Sequence, residues 1–363
     1  MKQSIFAHDS LMERTIEGMS ERRRQTGALF ECRVLVTPTT FGKEDPALRS
    51  TLEKTVGEVI YNPLPRPLNS KELLPLVKDA DGYIAGLDQI DSSVLEAANR
   101  LKVIARYGVG IDRVDVEAAT KRGIVVTNTP GANSVAVAEL AIALMLALSR
   151  QICRADQATR CGEWPRYSGV GLRGKTVGLV GFGAIGHEVA SRLKAFGCRI
   201  VVADPCVGPD CADTYAVQLV PMEELLASSD FVSLHASLNS STSGMVDHAF
   251  LQKMKHGAFV VNTARGELID EEALRDALEK GHLRGAALDC FRKEPPPPDH
   301  PLLRLPQVIV TPHTASHTDE ATNAMGRMSL EACLAVLSGE KPAHVVNPDV
   351  YERSSPQGAY DTF

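Results

Sequence analysis

The sequence predicts an α/β protein of two domains built on parallel sheets covered by helices. Three observations predict it. The 363 residues exceed what one hydrophobic core usually supports. From Cys32 onward, short β-branched runs alternate with helical stretches. The strand candidates also fall into two series separated by one long apolar helix.

The first series comprises Arg33–Thr37, Gly82–Ala85, Val103–Ala105 and Val125–Asn128. The second comprises Val177–Gly181, Arg199–Asp204, Phe231–His235, Phe259–Thr263, Ala286–Asp289 and Val308–Thr311. Between them lies the helix Ala136–Arg150, opened by Asn133 and Ser134, either of which can cap its first turn. A helix apolar all round has to be covered on most sides, so a second copy of the chain, making a homodimer, is expected against it in preference to burial within one chain. The helical stretch from His313 to Pro348 then suggests a split arrangement. Residues 32–130 and 315–350 form one domain, and 131–314 form a second, inserted one.

Composition narrows the function classes. Formal net charge is −6, from 39 basic and 45 acidic residues, with no dominant basic block, so neither nucleic acid nor a membrane surface is an expected partner. The longest apolar run, Leu140–Leu148, has nine residues, far short of the ~20 that a spanning helix needs. None of the eight cysteines stands in a C-x-x-C pair, which reads as reduced thiols in a cytoplasmic protein. Residues 1–31 are polar, contain Arg22-Arg23-Arg24 and lack an apolar core, so they read as a poorly ordered extension.

Val177 to Gly186 reads V-G-L-V-G-F-G-A-I-G, which places G-x-G-x-x-G directly after an apolar strand and before a helical pattern. Gly181 suits the tight turn, Gly183 lets backbone approach a pyrophosphate, and Gly186 allows helix and strand to pack closely. The N–H groups of Ala184 and Ile185 then face the phosphates from a helix N-terminus. A second strand ends in Asp204, about 20 residues on, where an acid accepts from both ribose hydroxyls. These features predict a Rossmann dinucleotide domain. A carboxylate at 204, with no Arg or Lys at 205–207, favours NAD over NADP.

Hydride exchange at an alcohol carbon also moves a hydroxyl proton, which calls for an acid/base group poised near neutral pH. His313 ends a strand run, where open α/β sheets place their ligand crevice. Arg265 and Glu294 also follow strand ends. A guanidinium grips a carboxylate with fork geometry, and a carboxylate paired with histidine orients the ring. A zinc reading competes, because His313 and His317 lie four apart and would share a face if helical. With no third ligand evident, no metal is expected.

Six segments together resemble the D-isomer-specific 2-hydroxyacid dehydrogenase family over roughly residues 33–348. They are Arg106–Asp112, Asn128–Asn133, Gly181–Gly186, Asn262–Gly266, Ala286–Pro295 and Thr311–His313. The resemblance implies a flavodoxin-like substrate domain split around the NAD domain. It also implies that Arg265 binds substrate carboxylate and carbonyl, that His313 is the acid/base, and that Glu294 pairs with it. The backbone of Gly108, Val109 and Gly110 would hold the substrate carboxylate. Asp289 would hold the nicotinamide carboxamide, with His235, Ala236, Thr263 and Ala264 lining the cofactor.

Within the family the chain most resembles the D-3-phosphoglycerate dehydrogenases, which implies serine biosynthesis. It departs from them where they carry a phosphate-binding arginine after the second strand. Here the sequence reads Ala85-Gly86-Leu87-Asp88, leaving Arg66 or Arg106 as substitutes. Two alternatives stay open: a reductase of hydroxypyruvate, glyoxylate or another 2-keto acid, and an NAD(H)-sensing regulatory protein.

Overall fold

Runs of aliphatic and β-branched residues form twelve strands among the described residues, 28–353 of a computed structural model. Every strand pairing in its two sheets is parallel. The chain divides into two compact units, one formed by residues up to Ala132 together with those from Thr322, the other by Asn133–Ala321. Both belong to the α/β class predicted.

The first unit contains Arg33–Val36 (β1), Glu58–Tyr61 (β2), Gly82–Ala85 (β3), Val103–Arg106 (β4) and Val125–Thr127 (β5). Their order, β2-β1-β3-β4-β5, is the flavodoxin-like one. Successive side chains of β1 face opposite ways. Val34 and Val36 join the core that takes in Met325, Leu330 and Cys333 of the helix Asp319–Leu337. Leu35 joins the core formed with Leu73, Val77, Val94 and Leu95 of two other helices.

Strand β2 escaped the sequence reading. It is an edge strand with every side chain at least partly exposed, so it shows neither a continuous apolar run nor a clean alternation. Of the predicted extension, residues 1–27 lie outside the described residues. Residues Ala28–Glu31 form a 3-10 turn that buries Leu29, so these last residues of the predicted extension are ordered.

The second unit contains Thr176–Val180 (β6), Arg199–Ala203 (β7), Gln218–Leu219 (β8), Phe231–Leu234 (β9), Phe259–Asn262 (β10), Gly285–Leu288 (β11) and Val308–Val310 (β12). The order is β12-β11-β10-β9-β6-β7-β8. The chain runs outward from β6 through β8 and then returns to the other side of β6 at β9. Strand β8, two residues at the far edge, was also missed, being too short to carry a pattern.

The apolar helix spans Ser134–Arg150. Its Ala141, Ile142, Met145 and Leu148 pack with Val177, Leu179, Phe259 and Val261 of the unit's own sheet. Self-burial therefore covers most of the surface that suggested a second copy. The expected cap does not form: Asn133 occupies the N-cap position without a side-chain capping bond. Its ψ of 4° is far from the extended value a capping side chain needs to reach the first-turn N–H groups, and its Oδ1 is buried without a partner. Among the described residues no single helix is long and apolar enough to cross a membrane; this helix and Ile152–Arg160 pass such a test only as a pair bent by 61°.

Asn347 ties the returning C-terminal segment to β5. Its Oδ1 accepts from Val126 N–H at 2.8 Å, and its Nδ2 donates to the Ile124 carbonyl and Thr120 Oγ1, both at 2.9 Å. Because these groups are buried, Asn347→Ala should cost about 3 kcal/mol in urea unfolding. A loss below about 0.5 kcal/mol would show that water takes over these bonds.

Candidate active site

In a parallel sheet all carboxyl ends share one edge, and the candidate residues of the second unit collect there. At the end of β6, Gly181 has φ 91°, and a Cβ there would stand 2.7 Å from the backbone of His235 and Ala236 after β9. A Cβ at Gly186 would stand 2.9 Å from the Gly181 carbonyl, whereas at Gly183 it would meet nothing within 4 Å. The helix Ala184–Ala195 starts at this turn with no side-chain cap. The result is a helix N-terminus open toward an anion, with glycine wherever backbone comes close.

Asp204, just after β7, accepts from Phe182 N–H at 2.7 Å and from Cys206 N–H at 2.8 Å. The carboxylate expected at the ribose therefore also fixes the glycine turn. Of the residues expected to line the cofactor, His235 bonds Ser233 Oγ at 2.9 Å through Nε2. Its Nδ1 and the Thr263 Oγ1 are buried without partners. Open space at Gly183, an uncapped helix and two orphaned polar atoms suit a bound dinucleotide.

The three catalytic candidates follow β10, β11 and β12, which are neighbours in the sheet. Asn262, the last residue of β10, shapes the Arg265 loop by accepting from Ala264 N–H at 3.0 Å and donating to the Arg265 carbonyl at 2.8 Å. The Arg265 guanidinium donates to the Ala264 carbonyl at 2.8 Å. Gly266 lets this loop pass the next: a Cβ there would fall 2.0 Å from the Phe291 backbone.

His313 and Glu294 meet directly, with Nδ1 at 2.9 Å from each carboxylate oxygen. Glu294 is itself steadied by Phe291 N–H at 3.1 Å. His313 has φ 54° and lies in a loop outside the strand, so the helical pairing with His317 considered for zinc does not form. Asp289 holds that loop. It is 1% exposed, and its carboxylate accepts from Thr311 Oγ1 at 2.5 Å, Thr314 N–H at 2.9 Å and Ala315 N–H at 3.0 Å. Its carbonyl accepts His313 N–H at 2.8 Å.

Sequence reasoning placed Asp289 at the nicotinamide and missed this anchoring, which joins residues more than twenty positions apart. It also passed over Cys290, 2% exposed, whose Sγ donates to the Ala264 carbonyl at 3.3 Å. Burial, with Asp289 and Glu294 nearby, pushes that thiol well above the usual range.

In the first unit, the carbonyls of Gly108, Val109 and Gly110 are all engaged, by Thr129 N–H at 3.1 Å, Asn128 Nδ2 at 2.9 Å and Arg106 Nε at 3.0 Å. Arg106 also donates to the Ala85 carbonyl at 2.8 Å and is 2% exposed. The acid at 88 follows β3, the third strand rather than the second, because β2 precedes it. Asp88 is 1% exposed and accepts from Thr37 Oγ1, from Tyr83 OH at 3.0 Å, and from the N–H groups of Leu68 at 2.7 Å and Gly86 at 3.1 Å. Arg66 is paired with Glu72 through two bonds of 2.9 and 2.6 Å, which hold that carboxyl down at about 2.

The sequence model described as “D-isomer specific 2-hydroxyacid dehydrogenase, NAD binding domain” matches residues 142–315, all within the second unit. A glyoxylate reductase of Korarchaeum cryptofilum is 42% identical over 297 residues, covering 80% of this chain and 90% of that one. The chain belongs to the D-isomer-specific 2-hydroxyacid dehydrogenase family. A D-3-phosphoglycerate dehydrogenase of Methanocaldococcus jannaschii is also similar to this dehydrogenase, 45% identical over 284 residues, or 77% of this chain and 54% of the relative. The chain spans about half the length of the phosphoglycerate dehydrogenase relatives it matches. Among solved structures, the TT0316 protein of Thermus thermophilus superposes with TM-score 0.78 at 42% identity, over 86% of this chain and 99% of that one. NAD is the cofactor of this family's binding domain, and the glycine turn with Asp204 fits it.

Burial holds the His235 imidazole neutral down to about 4, whereas an exposed histidine takes up a proton near 6.5. Below 6.5 the unfolded chain therefore binds a proton that the folded chain refuses. The stability due to this group is complete above 6.5 and is lost as pH falls from 6.5 toward 4. Urea midpoints at pH 7 and pH 5 should differ less in His235→Asn than in the parent; an unchanged difference would remove His235 from the acid response.

Proposed function

We propose that this chain reduces a small, unphosphorylated 2-keto acid of the glyoxylate or hydroxypyruvate kind to its D-2-hydroxy acid, using NADH. The observation that carries the substrate class is Asp88. A buried carboxylate with four donors occupies the loop where a phosphate-binding arginine is expected, and it cannot leave without orphaning the Leu68 N–H group. Arg66 is a poor substitute. An exposed pair with Glu72 is weakened by solvent, but Glu72 adds a negative charge where a phosphate would have to approach. Arg106 is buried and engaged with two carbonyls.

In this reading, the Arg265 guanidinium takes the substrate carboxylate; in the first unit, the N–H groups of Gly108, Val109 and Gly110 suit a carboxylate, the carbonyls of that loop being already satisfied. Bound NADH supplies the hydride that reaches C2. His313 delivers the proton to the keto oxygen, and Glu294 accepts the Nδ1–H bond that fixes the ring's tautomer and stabilises its charged form. Asp204 takes the ribose hydroxyls. The second unit serves as the NAD domain and the first as the substrate domain.

Oxidation of 3-phosphoglycerate, and with it serine biosynthesis, is the second reading. It is favoured by identities of 44–45% to enzymes of that name. We also propose a homodimer through the Ser134–Arg150 helix, where Val135 on the helix, Ile152 just beyond it and Trp164 remain exposed; light scattering should give twice the chain mass, and a monomer would end that proposal. The eight cysteines are all thiols, which suits a reducing compartment such as the cytoplasm.

The deciding experiment follows NADH oxidation at 340 nm across glyoxylate, hydroxypyruvate, pyruvate and phosphohydroxypyruvate. The unphosphorylated acids should show the higher kcat/KM. Preference for phosphohydroxypyruvate would restore the second reading, and NADH binding without any turnover would point to sensing. His313→Ala should lower kcat by ~10² or more with NADH binding intact; unchanged turnover would remove His313 from the mechanism.

A further inference from the structure

Cys290 immediately follows Asp289, and its side chain turns into the same corner as the His313–Glu294 pair. Its Sγ, a carboxylate oxygen of Glu294 and a ring nitrogen of His313 all lie within 4.8 Å of one another. One soft, one borderline and one hard donor converge there, a set that suits zinc or cadmium and is poor for magnesium or calcium. The geometry points to an inhibitory site for a single zinc-class divalent cation, bound by Cys290 Sγ, Glu294 and His313 Nδ1.

The adjustments needed are small. Zinc bonds of ~2.0–2.3 Å set tetrahedral ligand-to-ligand distances near ~3.5 Å. The 2.9 Å contact between His313 and Glu294 must open by a few tenths of an ångström, and the sulfur must close by about 1 Å. The thiol gives up a 3.3 Å bond to the Ala264 carbonyl and its proton, which is released to solvent as the cation takes the sulfur. Phe291 N–H, already on Glu294 Oε1, would remain as outer support for the ligating carboxylate. The fourth position is left to water.

The inhibitory consequence rests on the acid/base role proposed for His313. Proton delivery requires an imidazolium, and an imidazole with a cation on Nδ1 cannot take up a second proton. The cation also replaces the Glu294 contact that orients the ring. Zinc would therefore halt the proton step without touching the dinucleotide cradle.

The test uses the full chain, Cys290→Ser and Cys290→Val. In a Cd²⁺ titration followed by thiolate-to-metal charge-transfer absorbance, the other seven cysteines contribute equally to all three proteins. The parent should show one additional equivalent. In the NADH assay, Zn²⁺ should inhibit the parent reversibly with EDTA, Mg²⁺ should not, and the variants should need roughly tenfold more Zn²⁺ or higher. Identical Cd²⁺ titrations in the three proteins would overturn the site and leave Cys290 a small core residue. A cadmium difference with identical zinc inhibition would overturn the inhibitory role. If no keto acid is turned over even without metal, it is the proposed activity that fails, and the cadmium titration still decides the site.

Discussion

The carboxylate of Asp289 is the constraint on which the geometry of the second unit's site depends. It stands at the end of β11, inside the sheet edge, and spends both oxygens on the loop that follows β12. Asp289 is buried and would otherwise be left without donors, so the three bonds act together rather than as separable contacts. With the loop fixed, His313 is set opposite Glu294, and Glu294 is in turn set by a backbone N–H of its own loop. The catalytic candidates are thus placed by backbone amides and a buried acid, which are stiffer than the side chains they aim.

The first unit shows the same device with different residues. Asp88 gathers the N–H groups of Leu68 and Gly86 and the hydroxyls of Thr37 and Tyr83, and Arg106 fastens the glycine loop by its carbonyls. A carboxylate in one case and a guanidinium in the other replace the regular hydrogen bonds that loops lack.

The sheets were legible because their strands are buried on both faces, so Gly82–Ala85 and Gly285–Leu288 read as unbroken apolar runs. The edges were not: Glu58–Tyr61 and Gln218–Leu219 bury too little to leave a pattern. Asn133 has the right side chain for a cap and the wrong backbone angle, which composition cannot reveal. At the site, the glycines and strand-end residues stood out because each motif is local. Asp289 reaching Thr314, Asp88 reaching Leu68 and Cys290 facing His313 depend on which strand lies beside which, and that order is a property of the folded sheet.

The backbone at His313 has a consequence for how this protein wears out. A non-glycine residue at φ 54° sits in a region that costs on the order of 1 kcal/mol or more, held only because its surroundings over-determine it. The loop around it is therefore biased to spring toward ordinary conformations whenever the Asp289 anchor loosens, while the sheet beneath it remains intact. With His313 in the acid/base role proposed above, ageing or mild heating would then yield a population that is folded and still able to hold a dinucleotide, yet chemically silent. Loss of activity and loss of structure become two separate events in the lifetime of the molecule.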